Sequence, residues 1–197
     1  MPEIKRRTPT GAAVLRPDLT DSIIEAVLDE LAEKGYQSLS MDAVARRAGV
    51  GKSALYRRWP SKLEMTVSTF VRLSVPLTSI PDTGSFRGDL RKVLDEILAW
   101  LGHPRHGRIF TDLLGAARTN PELARALTED IAAPRRELGM EVLDRAVARG
   151  EVPAEVNREL ALDVFAAPVF WRLHARREVV TAEYLDEVAD LMVKAFT

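Results

Sequence analysis

Apolar residues recur every three to four positions along most of this chain, and this spacing predicts helices throughout. One apolar stripe lies between Pro17 and Gly35, and another runs from Phe86 to Leu101 before a Gly-His-Pro break. Pro134 interrupts a long seventh stripe and should kink or split that helix. No stretch alternates convincingly with the period of two typical of a half-buried strand. The pattern therefore predicts an all-α fold of about nine helices.

Capping residues and breakers divide this pattern into two regions, a head and a body. Ser40 and Ser61 are suited to begin the second and fourth helices, because a serine hydroxyl accepts a hydrogen bond from a free backbone N–H. The segment Pro76–Gly88 is rich in proline and glycine and is the best candidate for a hinge. The predicted regions are a flexible basic arm at residues 1–16, a three-helix head with its following helix at residues 17–75, and a helical body at residues 76–197.

Positive charge is concentrated between Ser40 and Lys62, where two short helices are joined by a turn that contains glycine. This window holds six lysines and arginines, and no acidic residue occurs from Ala43 to Leu63. A helix-turn-helix places its second helix in the DNA major groove while nearby cations neutralise phosphates, so we assign this motif to residues 40–59. The residues predicted to bind DNA are Ser40, Lys52, Ser53, Tyr56, Arg57, Arg58, Ser61 and Lys62.

Composition agrees with a DNA-binding head on a body that has another task. The chain has 197 residues, a formal net charge of −1 and 46% hydrophobic residues, enough to bury a sizeable core. Residues 1–62 carry 11 basic and 8 acidic residues, for a net charge of +3, whereas the remainder carries 17 and 21, for −4. There is no cysteine, and no apolar run approaches the roughly 18 residues of a membrane span. We therefore expect a cytoplasmic protein with no membrane partner.

A further set of positions in the head stands in register with a known family. These positions are Gly35-Tyr36, Ser40, Val44-Ala45, Ala48-Gly49-Val50, Leu55-Tyr56 and Trp59-Pro60-Ser61-Lys62. At this spacing the segment from about Pro17 to Val75 resembles the head of the tetracycline-repressor (TetR) family of bacterial transcriptional regulators. Two departures are Ser40, which replaces a frequent threonine and remains a usable cap, and Gly51, which replaces a frequent serine and removes one possible phosphate contact.

The resemblance implies a homodimer whose heads bind a palindromic operator in double-stranded DNA and whose bodies bind a small-molecule effector of unknown identity. Such a protein is expected to be a repressor that its effector releases from the operator. Arg136 or His103 is a candidate for a polar contact to that effector. The residues predicted to line the effector pocket are Trp100, Phe110, Leu114, Met140, Phe165, Phe170 and Trp171. The residues predicted to form the dimer interface are Leu160, Val164, Pro168, Trp171, Leu185, Val188 and Met192.

The alternative class of function is a helical enzyme or a scaffold that does not bind DNA. The triplet Gly51-Lys52-Ser53 ends like a phosphate-binding loop, but Arg46 stands where that loop needs glycine and a helix precedes it. His103 and His106 lack the further ligands that a metal site requires. No nucleophile with a matching base is recognisable, so we expect no catalytic residue, no metal and no cofactor.

Overall fold

The computed structural model describes residues 17–74 and 80–197, and within these ranges the chain forms nine helices and no strand. The head contains α1 (Pro17–Ser38), α2 (Met41–Arg47), α3 (Lys52–Tyr56) and α4 (Lys62–Ser74). The body contains α5 (Phe86–Leu101), α6 (Pro104–Ala117), α7 (Pro121–Ala126, a π-helical turn at Leu127–Ala132, and Ala133–Ala148), α8 (Arg158–Phe170 and a π-helical turn at Trp171–Ala175) and α9 (Ala182–Phe196). The predicted all-α fold is confirmed. The predicted arm at residues 1–16 lies outside the described residues.

Serine caps begin two of the head's helices, as the sequence predicts. The Ser40 hydroxyl accepts a hydrogen bond from the Ala43 N–H at 3.2 Å, which positions the start of α2. The Ser61 hydroxyl accepts one from the Glu64 N–H at 3.1 Å and does the same for α4. Both hydroxyls are therefore engaged in holding the helices that flank the turn.

The last turn of α1 is broken at a glycine that touches the body. Gly35 has a φ of 75°, a backbone conformation that favours glycine, and a Cβ there would lie 2.7 Å from Asp112 Oδ1 of α6. The next residue, Tyr36, donates its N–H to Asp112 Oδ2 at 2.6 Å. A carboxylate of α6 thus accepts the backbone N–H that the break in α1 leaves free.

Two hydrophobic cores hold the chain together, and the first one crosses from the head into the body. In this core Ile23 and Val27 of α1 lie in the same cluster as Ile109 and Leu113 of α6, and all four are fully buried. The second core joins α5, α7, α8 and α9. Because α1 packs along α6, the head is attached to the body by a packed surface and not only by the chain connection.

The connection between the two regions is fixed at its described end. The candidate hinge Pro76–Gly88 falls partly outside the described residues, but from Ile80 onwards it follows the surface of the body. The fully buried Asp89 accepts hydrogen bonds from the Thr83 N–H at 2.7 Å and the Thr83 hydroxyl at 2.8 Å. Arg149 donates to the same carboxylate at 3.0 Å and Arg145 at 3.4 Å, so the segment is fastened to α7.

Two prolines inside long helices are accommodated without interrupting them. Pro134 lies two residues beyond the π-helical turn Leu127–Ala132, and α7 continues past it, so of the predicted kink or split the split does not occur. Proline lacks an N–H and its ring would collide with the carbonyl four residues earlier, and a wider turn relieves both problems. Pro168 lies inside α8, just before the π-helical turn Trp171–Ala175.

Two threonine side chains of α4 provide a test of the head's packing. The hydroxyls of Thr66 and Thr69 are fully buried, and neither makes a hydrogen bond within the described part of the chain. Since an unmet buried hydroxyl is costly, Thr66→Val and Thr69→Val should each raise the free energy of unfolding by about 1 kcal/mol in urea denaturation. Thr111→Val is the control, because the Thr111 hydroxyl donates to the Gly107 carbonyl at 3.0 Å. Removing this hydroxyl should therefore not raise the free energy of unfolding. Destabilisation by both α4 substitutions would contradict this interpretation.

Candidate functional site

The exposed side of α3 is defined by the residues that anchor its other side. Leu55 is fully buried, and Trp59 just beyond the helix is also buried and donates its indole N–H to the Ser68 hydroxyl of α4. With this side fixed in the core, helical rotation turns the opposite side outward. Tyr56 is accordingly 49% exposed. The predicted DNA-binding residues Lys52, Ser53 and Arg57 are also exposed.

Two of the predicted DNA-binding cations have partners within the head. The Lys52 ammonium lies 2.6 Å from the Asp42 carboxylate of α2, on the surface of the motif. Arg58 is half-buried, and its guanidinium donates to the Ala54 carbonyl at 3.0 Å and to the Thr20 hydroxyl at 3.3 Å. Arg58 is therefore directed back towards α1, whereas Lys52 needs only to exchange one exposed partner to reach a phosphate or base.

A third predicted cation, Lys62, closes the end of α1. Its ammonium donates to the Tyr36 carbonyl at 3.1 Å and to the Gln37 carbonyl at 3.4 Å, and it lies 4.5 Å from the centre of the Tyr36 ring. Positive charge at a helix C-terminus is favourable because the last carbonyls have no partner within the helix. Lys62 therefore has a structural task in addition to any contact with DNA.

The remaining arginines of the motif separate into one that is engaged and two that are open. Arg47 forms ion pairs with the carboxylates of Asp29, Glu30 and Glu33 on α1, and the hydrogen bonds that it donates to Glu33 raise the Arg47 pKa. Arg46 and Arg57 are exposed, and neither forms an ion pair or side-chain hydrogen bond with residues 17–74 or 80–197. Arg57 is thus the cation at the end of α3 that can meet DNA without first breaking a contact.

The ion pair between Lys52 and Asp42 leads to a prediction about selectivity. Asp42→Asn removes a negative charge beside α3 and releases Lys52, so affinity for a random-sequence duplex should rise about fivefold. Fluorescence anisotropy at fixed salt measures this change. In a Lys52→Ala background the same substitution should have a much smaller effect. Weaker binding by Asp42→Asn alone would contradict the prediction.

The body encloses a cavity of about 470 Å³ between α5, α6, α7 and α8. Its size is within the roughly 300–1,000 Å³ of sites that hold small organic molecules. Its aromatic rings contact one another, with Trp100 and Phe110 centred 4.9 Å apart and Phe110 and Phe170 6.4 Å apart. Five of the residues predicted for the pocket line this cavity: Trp100, Phe110, Leu114, Phe165 and Phe170.

The other two predicted pocket residues do not line the cavity. Gly139 of α7 faces it, so Met140, one position further around the helix, points elsewhere, and its sulfur lies 3.3 Å from the Arg158 guanidinium. Trp171 is 63% exposed in the π-helical turn of α8. Both placements correct the predicted pocket, because the side of a helix on which these residues lie depends on packing and on the π-helical turn.

The polar wall of the cavity agrees only in part with the expectation. Arg136 lines the cavity and pairs with Asp163 at 2.7 Å and with Glu159, whereas His103 is outside the lining, stacked on His106 at 3.9 Å. Arg135 also lines the cavity but was not predicted from the sequence, and its guanidinium lies 4.1 Å from the centre of the Trp100 ring. Burial lowers the Arg135 pKa to about 10, and the nearby Glu96 charge opposes that shift. The sequence does not distinguish which of these two adjacent arginines, Arg135 or Arg136, packs against Trp100.

The predicted dimer interface is partly corrected as well. Leu185, Val188 and Met192 are 1%, 6% and 2% exposed, because the apolar stripe of α9 packs within this chain's own body core. They are therefore unavailable to a partner subunit. Leu160 is 53% exposed, and Val164 and Pro168 are half-buried. The large apolar residues left open on α8 and α9 are Leu160, Trp171 and Leu191, the last of which the sequence analysis did not identify.

Comparison with known proteins decides the family. Residues 23–68 match the family described as bacterial regulatory proteins, tetR family, and residues 80–192 match the tetracyclin repressor-like C-terminal domain. The chain belongs to the TetR family. The residues that the structure places in the head and in the body thus correspond to the two parts of a TetR-family transcriptional regulator. The family consists of regulators and not enzymes, which removes the helical-enzyme alternative.

Three similar proteins illustrate the relationship of this TetR-family regulator to others. It is 29% identical over 175 residues to the uncharacterized HTH-type transcriptional regulator YdeS of Bacillus subtilis (strain 168), covering 89% of this chain and 86% of YdeS. The crystal structure of the TetR family transcription regulator SCO0332 is 29% identical with a TM-score of 0.71, covering 91% and 99% of the two chains. The structure of the transcriptional regulator FadR from Bacillus subtilis in complex with stearoyl-CoA is 18% identical with a TM-score of 0.72, covering 90% and 99%.

The described residues offer neither a membrane-spanning helix nor a cluster of metal ligands. No helix in the described part of the TetR-family regulator is long and apolar enough to cross a membrane. Among residues 17–74 and 80–197, no three His, Asp or Glu side chains are grouped so that they could hold a metal ion.

Proposed function

We propose that this TetR-family regulator is a homodimeric repressor that leaves its operator when a small molecule occupies the cavity of the body. The observation that carries this proposal is the position of Phe70 on α4. Its ring lies 5.5 Å from that of Trp100 and 6.1 Å from that of Phe110, and both of those residues line the cavity. One helix therefore contacts the cavity wall and also begins at the end of the DNA-binding motif.

Contacts with the operator are assigned from exposure on α3. Arg57 and Lys52 would supply charge to bases or phosphates, and the Tyr56 hydroxyl would donate to a phosphate. Ser53 is exposed beside them, while Ser40 and Ser61 present helix N-termini to the backbone. Arg58 and Lys62 would act mainly by positioning α3 and the end of α1, since their side chains already have partners.

Dimerisation would use the apolar surface of α8 and α9. Leu160, Trp171 and Leu191 are exposed there, with Val164 and Pro168 partly accessible between them. Two helices from each subunit would form a four-helix bundle around a two-fold axis, which buries these side chains. Two heads related by that axis fit a palindromic operator and double the number of contacts with DNA.

Release follows from coupling between two sites. An effector that binds better to a conformation in which the heads are wrongly spaced weakens operator binding, and DNA must weaken effector binding by the same factor. The complex of the structurally similar FadR with stearoyl-CoA supports a body that holds an organic molecule in this fold. The large cavity next to Phe70 is the place where this chain could do so.

The test begins with selection of genomic fragments by the purified protein. Anisotropy titrations then compare a selected duplex with a shuffled one between 50 and 200 mM salt, about the range over which counterion release is easily measured. We expect sedimentation as a dimer, a steep fall of affinity with salt, and a clear preference for the selected sequence. Compounds suggested by the neighbouring genes should weaken that binding. A monomer, or equal affinity for both duplexes at every salt concentration, would overturn the proposal.

A further inference from the structure

The charged side chains in the cavity wall balance one another. Among the described residues, the wall contains two arginines and two acidic residues: Arg135, Arg136, Glu96 and Asp163. Arg136 pairs with Asp163 at 2.7 Å. Burial lowers the Arg135 pKa to about 10, and the negative charge of Glu96 opposes that shift. A charged occupant would lose its hydration without gaining an unpaired counter-charge, so the wall favours an occupant that carries no charge.

The rest of the wall is almost entirely apolar. Thr128 is the exception among the described lining residues, and its hydroxyl donates to the Ala124 carbonyl of its own helix at 3.1 Å. Four of the lining residues carry aromatic rings: Trp100, Phe110, Phe165 and Phe170. Contact with this surface stabilises an occupant through burial of apolar area and through edge-to-face ring contacts. The body of the occupant is therefore expected to be apolar.

A hydrogen-bond donor in this wall lacks an acceptor. The Trp100 indole N–H is buried and makes no hydrogen bond with residues 17–74 or 80–197. An indole N–H can donate but not accept, and leaving such a donor unmet inside a protein is costly. The oxygen of a ketone, an ester or an ether is an acceptor that brings no charge with it. Such an oxygen satisfies the donor without disturbing the ion pairs of the wall.

We propose that the cavity binds an uncharged, largely apolar molecule with an oxygen acceptor, which receives a hydrogen bond from the Trp100 indole. This inference rests on the proposed function, because it names the chemical class of the effector. A hydrocarbon would leave the N–H unmet, while a carboxylate or an ammonium would meet only charges that already have partners. The N–H is closed to water, so the indole must turn slightly to donate to an occupant. Its ring lies 5.5 Å from that of Phe70, so this motion would act directly on α4.

The first test measures binding of matched compounds to the full-length protein by equilibrium dialysis. One series has a naphthalene body and the other a cyclohexane body, and each body carries an acetyl, isopropyl, carboxylate or 1-aminoethyl group. These groups have the same number of heavy atoms, and only the acetyl group is an uncharged acceptor. In at least one series we expect the ketone to bind about tenfold more tightly than both charged compounds. Charged compounds that bind as tightly as the ketone in both series, or ketones that do not bind at all, would overturn the proposal.

The second test assigns the acceptor contact to Trp100. Trp100→Phe removes the N–H and should weaken binding of the ketone about fivefold, while binding of the isopropyl compound stays within about twofold. The isopropyl compound thus reports that the cavity of the variant is intact. A ketone that loses no more affinity than the isopropyl compound would contradict the assignment to Trp100.

A measurement on the natural protein makes the second test independent of that variant. The chain has three tryptophans, and Trp59→Phe and Trp171→Phe identify which indole N–H signal in the NMR spectrum belongs to Trp100. The ketone should move this signal downfield relative to the isopropyl compound, because only the ketone accepts a hydrogen bond. A signal in the same position with both bound compounds would overturn the proposal.

The third test examines the charge balance of the wall. Glu96→Gln removes the negative charge that acts on Arg135, so the carboxylate should bind about threefold more tightly while binding of the ketone is unchanged. Glu141→Gln is the matched control, because Glu141 is exposed on α7 and lies outside the lining. It should change binding of neither compound. A carboxylate that gains no affinity from Glu96→Gln would contradict the charge balance on which the proposal depends.

Binding to the selected operator duplex separates this inference from the proposed function. If charged compounds bind and displace DNA as well as ketones do, release by an effector stands and the uncharged class is wrong. If ketones bind with the expected preference but leave DNA affinity unchanged, the ketone site stands and release by an effector is wrong. Leu114→Trp, which fills the cavity from its half-open side, should abolish ketone binding and shows that the measured site is this cavity.

Discussion

Arg57→Ala should weaken binding to the selected operator about 100-fold. Arg57 is exposed at the end of α3 and makes no ion pair with the described residues, so its full charge is available to DNA. A charge-assisted contact is worth about 1.4 kcal/mol, which is a factor of ten, and a dimer loses it in both heads. Anisotropy titration at one fixed salt concentration measures the loss. The salt slope should also become shallower by about one contact for each head.

The control for Arg57 is an arginine outside the head. Arg125 of α7 is exposed, and Arg125→Ala changes the total charge equally while leaving α3 intact. We expect its operator affinity to stay within about twofold of the natural protein, since distant exposed charges are screened. Similar losses for the two variants would mean that net charge, and not the position of Arg57, determines affinity.

Asp89→Ala should reduce the free energy of unfolding by about 3 kcal/mol. This is the largest change in stability that we expect from a single substitution. The substitution leaves the Thr83 N–H without its acceptor and removes the shared partner of Arg145 and Arg149. Asp89→Asn should cost less, because it keeps the size and one acceptor. Urea denaturation followed by circular dichroism measures both variants.

The control for Asp89 and its pH dependence sharpen this expectation. Asp82 also pairs with Arg149, at 3.0 Å, but is exposed, so Asp82→Ala should lower the free energy of unfolding by less than about 1 kcal/mol.

Burial raises the Asp89 pKa, but the hydrogen bonds from Thr83 and Arg149 and the charge of Arg145 outweigh this effect and hold the pKa below its usual value. The stability that Asp89 contributes is therefore complete above about pH 4 and is lost as the pH falls through its lowered pKa. A difference between the natural protein and Asp89→Ala that stays constant down to pH 2 would contradict this.

The sequence predicts the head well because local signals there agree with tertiary packing. Ser40 and Ser61 each cap a helix through a hydrogen bond to a residue three positions later. Leu55 and Trp59 anchor α3 because they are four positions apart and lie on the same buried side. The partners of the head's cations were not predictable in the same way. Arg47 meets carboxylates 14 to 18 positions away on α1, and only the packing of two helices brings those groups together.

The body is harder to predict because its apolar stripes serve two purposes. The stripe with Leu185, Val188 and Met192 looks the same in the sequence whether it faces the chain's own core or a partner subunit. Adjacent residues such as Arg135 and Arg136 differ only by a rotation of about 100° on the helix, which the sequence cannot fix in a segment that also contains a π-helical turn. Helix existence was predictable there, while the direction of individual side chains was not.

Helix α6 contacts both the cavity and the head, because Asp112 lies against Gly35. Phe110 and Leu114 of this helix form part of the cavity wall, while Asp112 holds the Tyr36 N–H. An occupant that pushes α6 aside must either stretch that bond or carry the first helix with it. A side chain at position 35 would have to displace the Asp112 carboxylate and would be strained at a φ of 75°, so this contact favours glycine. A shift of α6 caused by an occupant of the cavity would consequently act on the end of α1 directly, and not only through the segment that connects the two regions.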